Sequence, residues 1–338
     1  MTDRLLAKSV RHRDRVEPDV SVLIVGYNCC ALLTDALEHL FRSEGDFTYE
    51  VLFVENGHGD NTLEVVGDQF PTVQIIENQT NLGFGAGNNV LAKHARGRYV
   101  LLLNPDTQID PSAIKHLLAF ADAHPELGAA GGTTHHPDGT IESSCAQPGP
   151  SYPVALLNAV GLGRLCRSVI DIPAHPVQAR ILSGAFMLVP REVWERLDGF
   201  DESFFMYNEE TDLCLRIAEL GKPLWLIPSA RVVHLVGSGD GLRPKRILSM
   251  TISGMHLTRR RFAKWRWPLT AAIILLHSGV RYFGSFAATP FIGFDRAKRL
   301  REAFGPLFFH PTLWWFGYDR QMQQRQQRSS GRKQVPTS

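Results

Sequence analysis

Over its first third this chain alternates short β-branched apolar runs with stretches of helical period, and that alternation admits few folds. Val20 to Tyr27 (VSVLIVGY), Tyr49 to Glu55 (YEVLFVE), Val73 to Glu77 and Tyr99 to Leu103 (YVLLL) read as buried strands. Between the first two, Cys30 to Arg42 carries Leu32, Leu33, Leu37 and Leu40 at helical spacing. Thr62 to Phe70, Asn88 to Arg96 and Pro111 to His124 read as further helices, with Pro111 near a first turn. The pattern predicts an α/β domain built on a mostly parallel sheet flanked by helices. In such a sheet, ligands bind beyond the C-terminal ends of the strands. Those ends read Gly26-Tyr27-Asn28, Glu55-Asn56-Gly57, the run Asn81 to Asn89 (NLGFGAGNN) and Asn104-Pro105-Asp106. Four polar or glycine-rich termini therefore converge on one edge. Glycines there let backbone approach a ligand closely. They follow the third strand at the wrong spacing for a dinucleotide fingerprint.

After Leu127 the pattern changes. HPDGTIESS contains Asp138-Gly139, a hairpin signal. Gln147 to Pro176 carries five prolines and reads as an irregular loop over one face. Arg180 to Val189 reads as a strand, Arg191 to Leu197 and Leu213 to Leu220 as helices, and Pro223 to Ile227 and Ala230 to His234 as strands.

The densest chemistry lies in FFMYNEETDLCLRI, from Phe204 to Ile217, where Glu209, Glu210 and Asp212 fall within four residues of one another. Like charges that close repel, more so in a dry site. Such a cluster serves a cation, serves proton transfer, or is an acidic helix start that complements the helix dipole. Asp106 has a plainer use as a helix cap before Thr107, and His234 as a strand-end histidine.

The net charge of +2 argues against a general nucleic-acid binder. The five cysteines show no metal-type spacing and suit a reducing cytoplasm. The N-terminal segment is charged throughout, has no apolar core, and reads as a basic arm over residues 1–18. From Arg243 to Trp267 there are eight Lys or Arg and no acid, and the apolar stretch Trp267 to Val280 follows. That stretch is short for a bilayer span, and extending it would bury Arg281. It reads either as an interfacial anchor or as a helical hairpin packed on the main domain. The expected organisation is a main domain over 19–240, a basic and apolar helical region over 241–318, and a disordered Gln/Arg/Ser-rich tail over 319–338.

Five motifs in order, NLGFGAGNN, LLLNPDT, PDGT, GAFMLVPREVWERLDGFDESFFMY and HLVGS, resemble those of the family 2 inverting glycosyltransferases with a GT-A-type fold, in the rhamnosyltransferase-like branch. The match runs from about Val20 to about Gly239. The resemblance implies a nucleotide-sugar donor, dTDP-L-rhamnose before a UDP-sugar, and a lipid-linked or polysaccharide acceptor. It implies bacterial surface glycan synthesis at the inner membrane face, with peripheral membrane contact and no nucleic acid. By position, Tyr27 and Asn28 would line the base and ribose pocket, and Glu55, where the family usually has Asp, would accept from the pyrimidine N3–H. Asn81, Gly83 and Asn88 would line the sugar cleft. Asp106, closing a DXD-type motif that here reads Asn-Pro-Asp, and His234 would bind Mn²⁺ or Mg²⁺. The catalytic base falls on Glu210, again where the family usually has Asp, with Glu209 and Asp212 beside it. Gly184, Asp201 and Phe205 would shape the acceptor side. Two other readings remain at this stage. One is a non-catalytic nucleotide-sugar or glycan scaffold; the other is a membrane or nucleic-acid adaptor that uses the basic C-terminal half.

Overall fold

Successive side chains of a strand face opposite ways, so a strand apolar at every position needs cover on both faces. The computed structural model, which describes residues 8–9, 17–57, 59–78, 80–142, 145–147, 149–163, 174–235 and 243–319, meets that need. In chain order it forms β1 (Lys8–Ser9), β2 (Val20–Gly26), α1 (Cys30–Leu40), β3 (Thr48–Glu55), α2 (Thr62–Gln69), β4 (Val73–Ile76), α3 (Phe84–Ala92), β5 (Tyr99–Leu103), β6 (Thr107–Ile109), α4 (Ala113–Ala123) and β7 (Ala129–His135). There follow β8 (Ala146–Gln147), α5 (Tyr152–Ala159), β9 (Val177–Ala179), β10 (Ile181–Leu182), β11 (Phe186–Pro190), α6 (Arg191–Arg196), α7 (Glu209–Glu219) and β12 (Leu224–His234). Three long helices follow, α8 (Pro244–Arg261), α9 (Arg266–Ile292) and α10 (Phe294–Phe309). The tail beyond 319, most of the N-terminal arm, residues 164–173 of the proline-rich loop and Val236 to Ser238 of the last motif lie outside the described residues.

The main sheet runs β1-β3-β2-β5-β11-β7-β12-β6, with β4 on β3 and β9 on β12. β2 pairs in parallel with β3 and β5, and β3 with β4. β11 is antiparallel to β5 and β7, which makes the sheet mixed. Val20, Val22 and Ile24 join Leu33, Leu37, Ile114 and Leu117 in the core under α1 and α4. Leu23 and Val25 turn the other way, to Leu91, Trp194, Leu213 and Ile217 from α3, α6 and α7. Each face buries aliphatic side chains, worth roughly 1.5–3 kcal/mol apiece.

Several elements differ from the sequence expectation. α3 begins at Phe84 rather than Asn88, because Gly85 and Gly87 lie within its first turns, where bare backbone packs close. A Cβ at Gly87 would stand 2.9 Å from Val25, so the glycine sets how near α3 lies to the sheet. The expected strand from Arg180 to Val189 breaks at Ser183–Ala185 into β10 and β11, which join different sheets. The two strands expected from Pro223 to His234 are one, β12, with a register shift between Ile227 and Arg231 where Pro228 cannot donate to a ladder. The proline-rich loop contains α5, with Pro153 in its first turn. α7 starts at Glu209, four residues before the expected Leu213. β7 and β6 were absent from the sequence reading.

The chain packs as two compact units. The first comprises Met1–Gly149, Asp171–Asp201 and Glu209–Gly239; the second comprises Pro150–Ile170, Glu202–Asn208 and Asp240–Ser338. The second unit is helical. Its α9 runs for 27 residues, well past the apolar stretch read from the sequence, and is long and apolar enough to cross a membrane by length and composition. The Arg281 guanidinium on α9 donates to the carbonyls of Asn158 and Ala159 at the end of α5, 3.1 and 3.4 Å away. A cation there meets the negative end of that helix.

Candidate active site

Register fixes where the strand ends fall. Gly26 of β2 lies opposite Glu55 of β3, and Ile24 opposite Leu103 of β5, so Tyr27, Glu55 and Asn104 all emerge on one edge. There Glu55 is only 2% exposed. Its Oε1 accepts the Asn28 N–H at 3.1 Å and the Gly57 N–H at 2.7 Å. Its Oε2 is buried and has no hydrogen-bond partner among the described residues. An unsatisfied buried carboxylate oxygen is costly to keep, and it marks a position where a ligand donor is wanted. Asn28 adopts φ 47, and its side-chain oxygen accepts the Gly59 N–H at 2.8 Å, which ties the first strand end to the second. Burial, together with the charges of Glu55, Asp60 and Asp106, pushes the Cys29 thiol up to about 12, so these carboxylates share one electrostatic neighbourhood. Tyr27 is 58% exposed at the same edge.

The glycine run is clamped onto this edge. Asn56, at the end of β3, donates to the Gly83 carbonyl at 3.0 Å and accepts from Asn78 at 2.8 Å. Asn81 accepts the Gly83 N–H at 2.9 Å. Gly83 sits at φ 84, ψ −177, a conformation that other residues avoid, and from it α3 departs. Asn88 donates to the Phe84 carbonyl at 3.0 Å, while its buried Oδ1 has no partner among the described residues. Asn89 grips Phe200 by both backbone groups, each at 2.9 Å, and so fixes the GFD turn that precedes the acidic stretch.

All three acids fall in the first turn of α7, as the plainer helix-start reading expects, but their surroundings differ. Glu209 is buried, its Cβ 3.6 Å from where a Cβ at Gly85 would stand. Asp212 is 0% exposed and pairs with Arg216 at 2.8 Å, and Arg216 also donates to the Leu197 carbonyl. Glu210 is half-buried at its surface yet ringed by protein. That burial raises its carboxyl pKa, while the backbone N–H groups of Glu210 and Thr211 oppose the rise. A Cβ at Gly184 would stand 3.3 Å from the Phe84 ring and 3.4 Å from the Glu210 Cβ. The break between β10 and β11, the start of α3 and the start of α7 thus meet around Glu210.

β12 is antiparallel to β6, with His234 opposite Thr107, so His234 lies beside Asp106. Thr107 opens a strand and not a helix, so Asp106 is no helix cap. The His234 Nε2 is 3.2 Å from Asp106, and its Nδ1 is 3.2 Å from Glu142. Burial alone would lower the imidazole pKa, but the two carboxylates override it and raise it to about 9. Glu142 was missed in the sequence. The available signal was the Asp138-Gly139 turn, which folds Ile141 back against His135 and brings the Glu142 N–H to the Thr134 carbonyl. For a divalent ion the donor chemistry fits: one carboxylate and one imidazole 3.2 Å apart, close to the ~3 Å between adjacent octahedral ligands at ~2.1 Å. Among the described residues no group of three His, Cys, Asp or Glu converges on one point, so substrate oxygens would complete the shell.

Of the remaining expected residues, Asp201 is half-buried after the Phe200 clamp in the first unit, and Phe205 belongs to the second unit. Glu55, Asn81, Gly83, Asn88, Gly184, Glu209, Glu210 and the Asp106–His234 pair all belong to the first.

The model for "Glycosyl transferase family 2" matches residues 21–161. The chain is 32% identical over 245 residues to an N-acetylglucosaminyl-diphospho-decaprenol L-rhamnosyltransferase of Mycobacterium tuberculosis, covering 65% of this chain and 78% of that one. It is 28% identical over 234 residues to an O-antigen biosynthesis protein of Myxococcus xanthus, covering 67% of this chain and 18% of the relative. In fold it resembles a Pyrobaculum calidifontis mannosyltransferase solved with GDP-Man and Mn²⁺, at TM-score 0.53 and 18% identity, over 89% of this chain and 84% of that one. The fold is thus of GT-A type, and the chain belongs to glycosyl transferase family 2 as a rhamnosyltransferase-like glycosyltransferase.

Proposed function

We propose that this enzyme moves L-rhamnose from dTDP-L-rhamnose to a lipid-linked acceptor with inversion, at the inner face of a bacterial membrane during surface glycan synthesis. The name of the mycobacterial relative supports both the sugar and the diphospho-prenol acceptor. Glu55 Oε2, a buried acceptor lacking a donor, supports recognition of a pyrimidine N3–H. Tyr27 offers an exposed ring to the base, and Asn28 borders it.

Glu210 acts as the base. The acceptor hydroxyl oxygen bonds to the anomeric carbon as the bond from that carbon to the diphosphate oxygen breaks. The hydroxyl proton passes to Glu210, and the bonding electrons leave with dTDP. One displacement inverts the centre without a covalent enzyme intermediate. A carboxylate whose pKa is raised by burial is a stronger base than a solvated one. Glu209 and Asp212 hold the first turn of α7, and with it the Glu210 backbone. Asp106 and His234 would hold Mn²⁺ or Mg²⁺, which when bound neutralises charge on the departing diphosphate. Asn81, Gly83 and Asn88 line the sugar cleft, and Gly184 and Asp201 the acceptor side. Exposed Leu269, Leu276, Val280 and Phe283 on α9, with Lys264 and Arg266 at its start, support peripheral membrane contact.

The observation that carries the reading is the position of Glu210, half-buried in the first turn of α7 with its Cβ beside Gly184 and its carboxyl pKa raised by burial. The test is nucleotide release from dTDP-L-rhamnose, UDP-sugars and GDP-sugars with Mn²⁺, Mg²⁺ or EDTA. Metal-dependent release of dTDP, lost in Glu210→Gln and Asp106→Ala, is expected. Release from a UDP-sugar alone replaces the donor, and binding of no donor in a titration refutes the assignment.

A further inference from the structure

The helical unit contains an open cavity of about 480 Å³ among α5, α8, α9 and α10. Its wall includes Tyr152, Ile247, Met250, Ile273, Phe304 and Leu307, and among the described residues no Asp, Glu, Lys or Arg lines it. His277 also faces it; burial and then the Arg281 charge lower this imidazole to about 4, so the ring is neutral at neutral pH. A Cβ built at Gly254, on the α8 wall, meets nothing within 4 Å, so the cavity reaches down to bare helix backbone. On α9 the cavity-facing residues Thr270, Ile273, Ile274 and His277 lie about a quarter turn around the helix from the exposed stripe Leu269, Leu276, Val280 and Phe283. Apolar surface therefore continues from the outside of α9 to the cavity wall. In the first turn of α8, immediately before Ile247, Lys245 and Arg246 are exposed and supply positive charge suited to a phosphate.

We propose that this cavity holds the first isoprene units of a polyprenyl-phosphate-type lipid, the hydrophobic part of the acceptor; the assignment of the occupant rests on the lipid-linked acceptor proposed above. An apolar cavity of 150 Å³ accommodates a six-carbon ring, so one about three times larger accommodates on the order of fifteen to twenty carbons, three or four isoprene units. A chain resting in the exposed stripe would enter sideways, while the phosphates stay with the basic end of α8. The cavity thus selects the acceptor by its lipid, apart from the donor chemistry of the first unit.

The test uses the full chain and a farnesyl diphosphate analogue carrying a diazirine on its terminal isoprene, followed by irradiation and peptide mapping. Label is expected on the α8 and α9 peptides that contain Met250 and Ile273, competed by unlabelled farnesyl diphosphate and not by palmitate. Gly254→Phe fills the cavity from α8 and improves helix propensity. It should cut that labelling at least tenfold and leave dTDP affinity within twofold. Ala155→Trp fills it from the α5 wall and is read the same way if Gly254→Phe does not melt cooperatively. Label that persists in the filled variants, spreads over the exposed stripe, or yields equally to palmitate overturns the proposal. Loss of dTDP binding in the unmodified chain refutes the transferase reading instead, and the labelling pattern still decides whether the cavity takes a prenyl chain.

Discussion

Glu55→Gln isolates one hydrogen bond in the proposed donor pocket. In the native protein Oε1 already holds two backbone N–H groups, from Asn28 and Gly57, and Oε2 holds none among the described residues. A glutamine keeps its carbonyl on those two donors and so turns its NH2 group toward the pocket. A donor then faces the pyrimidine N3–H, and a hydrogen bond to a charged acceptor is lost. Such bonds are worth about 1.5–3 kcal/mol; a loss of about 2 kcal/mol weakens dTDP binding about 30-fold. Folding should change little, because the two backbone contacts survive and one unsatisfied buried polar atom replaces another. A shift in Tm of no more than about 3 °C corresponds to about 1 kcal/mol. Calorimetric titration of both proteins with dTDP and with N3-methyl-dTDP reads the effect. The methylated nucleotide should bind the native protein about as weakly as dTDP binds the variant, and the variant should barely distinguish the two. Equal affinity of native protein and Gln variant for dTDP, or native affinity for the methylated nucleotide, would remove Glu55 from base recognition.

Other perturbations follow from the same geometry. Gly184→Ala must push Phe84 or Glu210 by a few tenths of an ångström, since its Cβ would stand 3.3 and 3.4 Å from them. If a 1 Å misplacement costs about 10²-fold, dTDP release should slow about threefold with dTDP affinity unchanged. Glu210→Gln should lower turnover at least ~10²-fold while raising Tm at pH 7–8. A carboxyl whose folded pKa is raised contributes stability below its unfolded pKa and loses it as pH rises through the folded one. The Tm advantage of the Gln variant should therefore vanish below pH ~4.5, and a constant advantage across pH contradicts the buried-carboxyl account. Arg216→Met strands Asp212 at 0% exposure without its cation. The cost is about 3–5 kcal/mol, or a Tm lower by roughly 10 °C, and an unchanged melt would contradict it. Asp106→Ala and His234→Ala should each abolish the rise in Tm that Mn²⁺ with dTDP is expected to produce in the native protein, and survival of that rise in both would place the ion elsewhere.

The elements that announced themselves in the sequence are those whose burial requires large side chains. VSVLIVGY and YVLLL are covered on both faces by helices, and nothing but a run of branched apolar residues satisfies that. β7 (AAGGTTH) is as fully buried, yet it is built of small residues. Gly131 and Gly132 lie beneath Leu182 and Phe186, whose bulk fills the space their missing side chains leave, so the strand carries no apolar signature of its own. The start of α3 was hidden for the same reason: its glycines are a helix packed tightly on Val25, not a loop. The polar strand ends were legible because nothing in a packed α/β sheet calls for Glu55, Asn56 or Asp106 at those positions. Glu142 was not, because its place beside His234, 92 residues away in sequence, depends on the turn that folds it back on β7 and on the pairing of β7 with β12.

The three acids of α7 indicate why a dense carboxylate motif need not be three equivalent catalysts. At about 100° per residue, Glu209 and Asp212 lie within about 60° of each other around the helix, and Glu210 points about 100° from Glu209 on the far side. Glu209 and Asp212 are buried, whereas Glu210 is half-buried. Asp212 on the buried face is tolerable because Arg216, one turn on, supplies its countercharge and is itself held by the Leu197 carbonyl. Glu210 has no such cation within its turn, which is why burial dominates its titration. The spacing Glu-Glu-Thr-Asp-Leu-Cys-Leu-Arg thus fits the proposed division of labour: an ion pair within the helix, and one raised carboxyl that the proposed mechanism uses to take the substrate proton. Exchanging the roles, with Glu210→Gln combined with any acid placed on the buried face, should not restore turnover, because a carboxylate neutralised by Arg216 would have neither the raised pKa nor the access that a base requires.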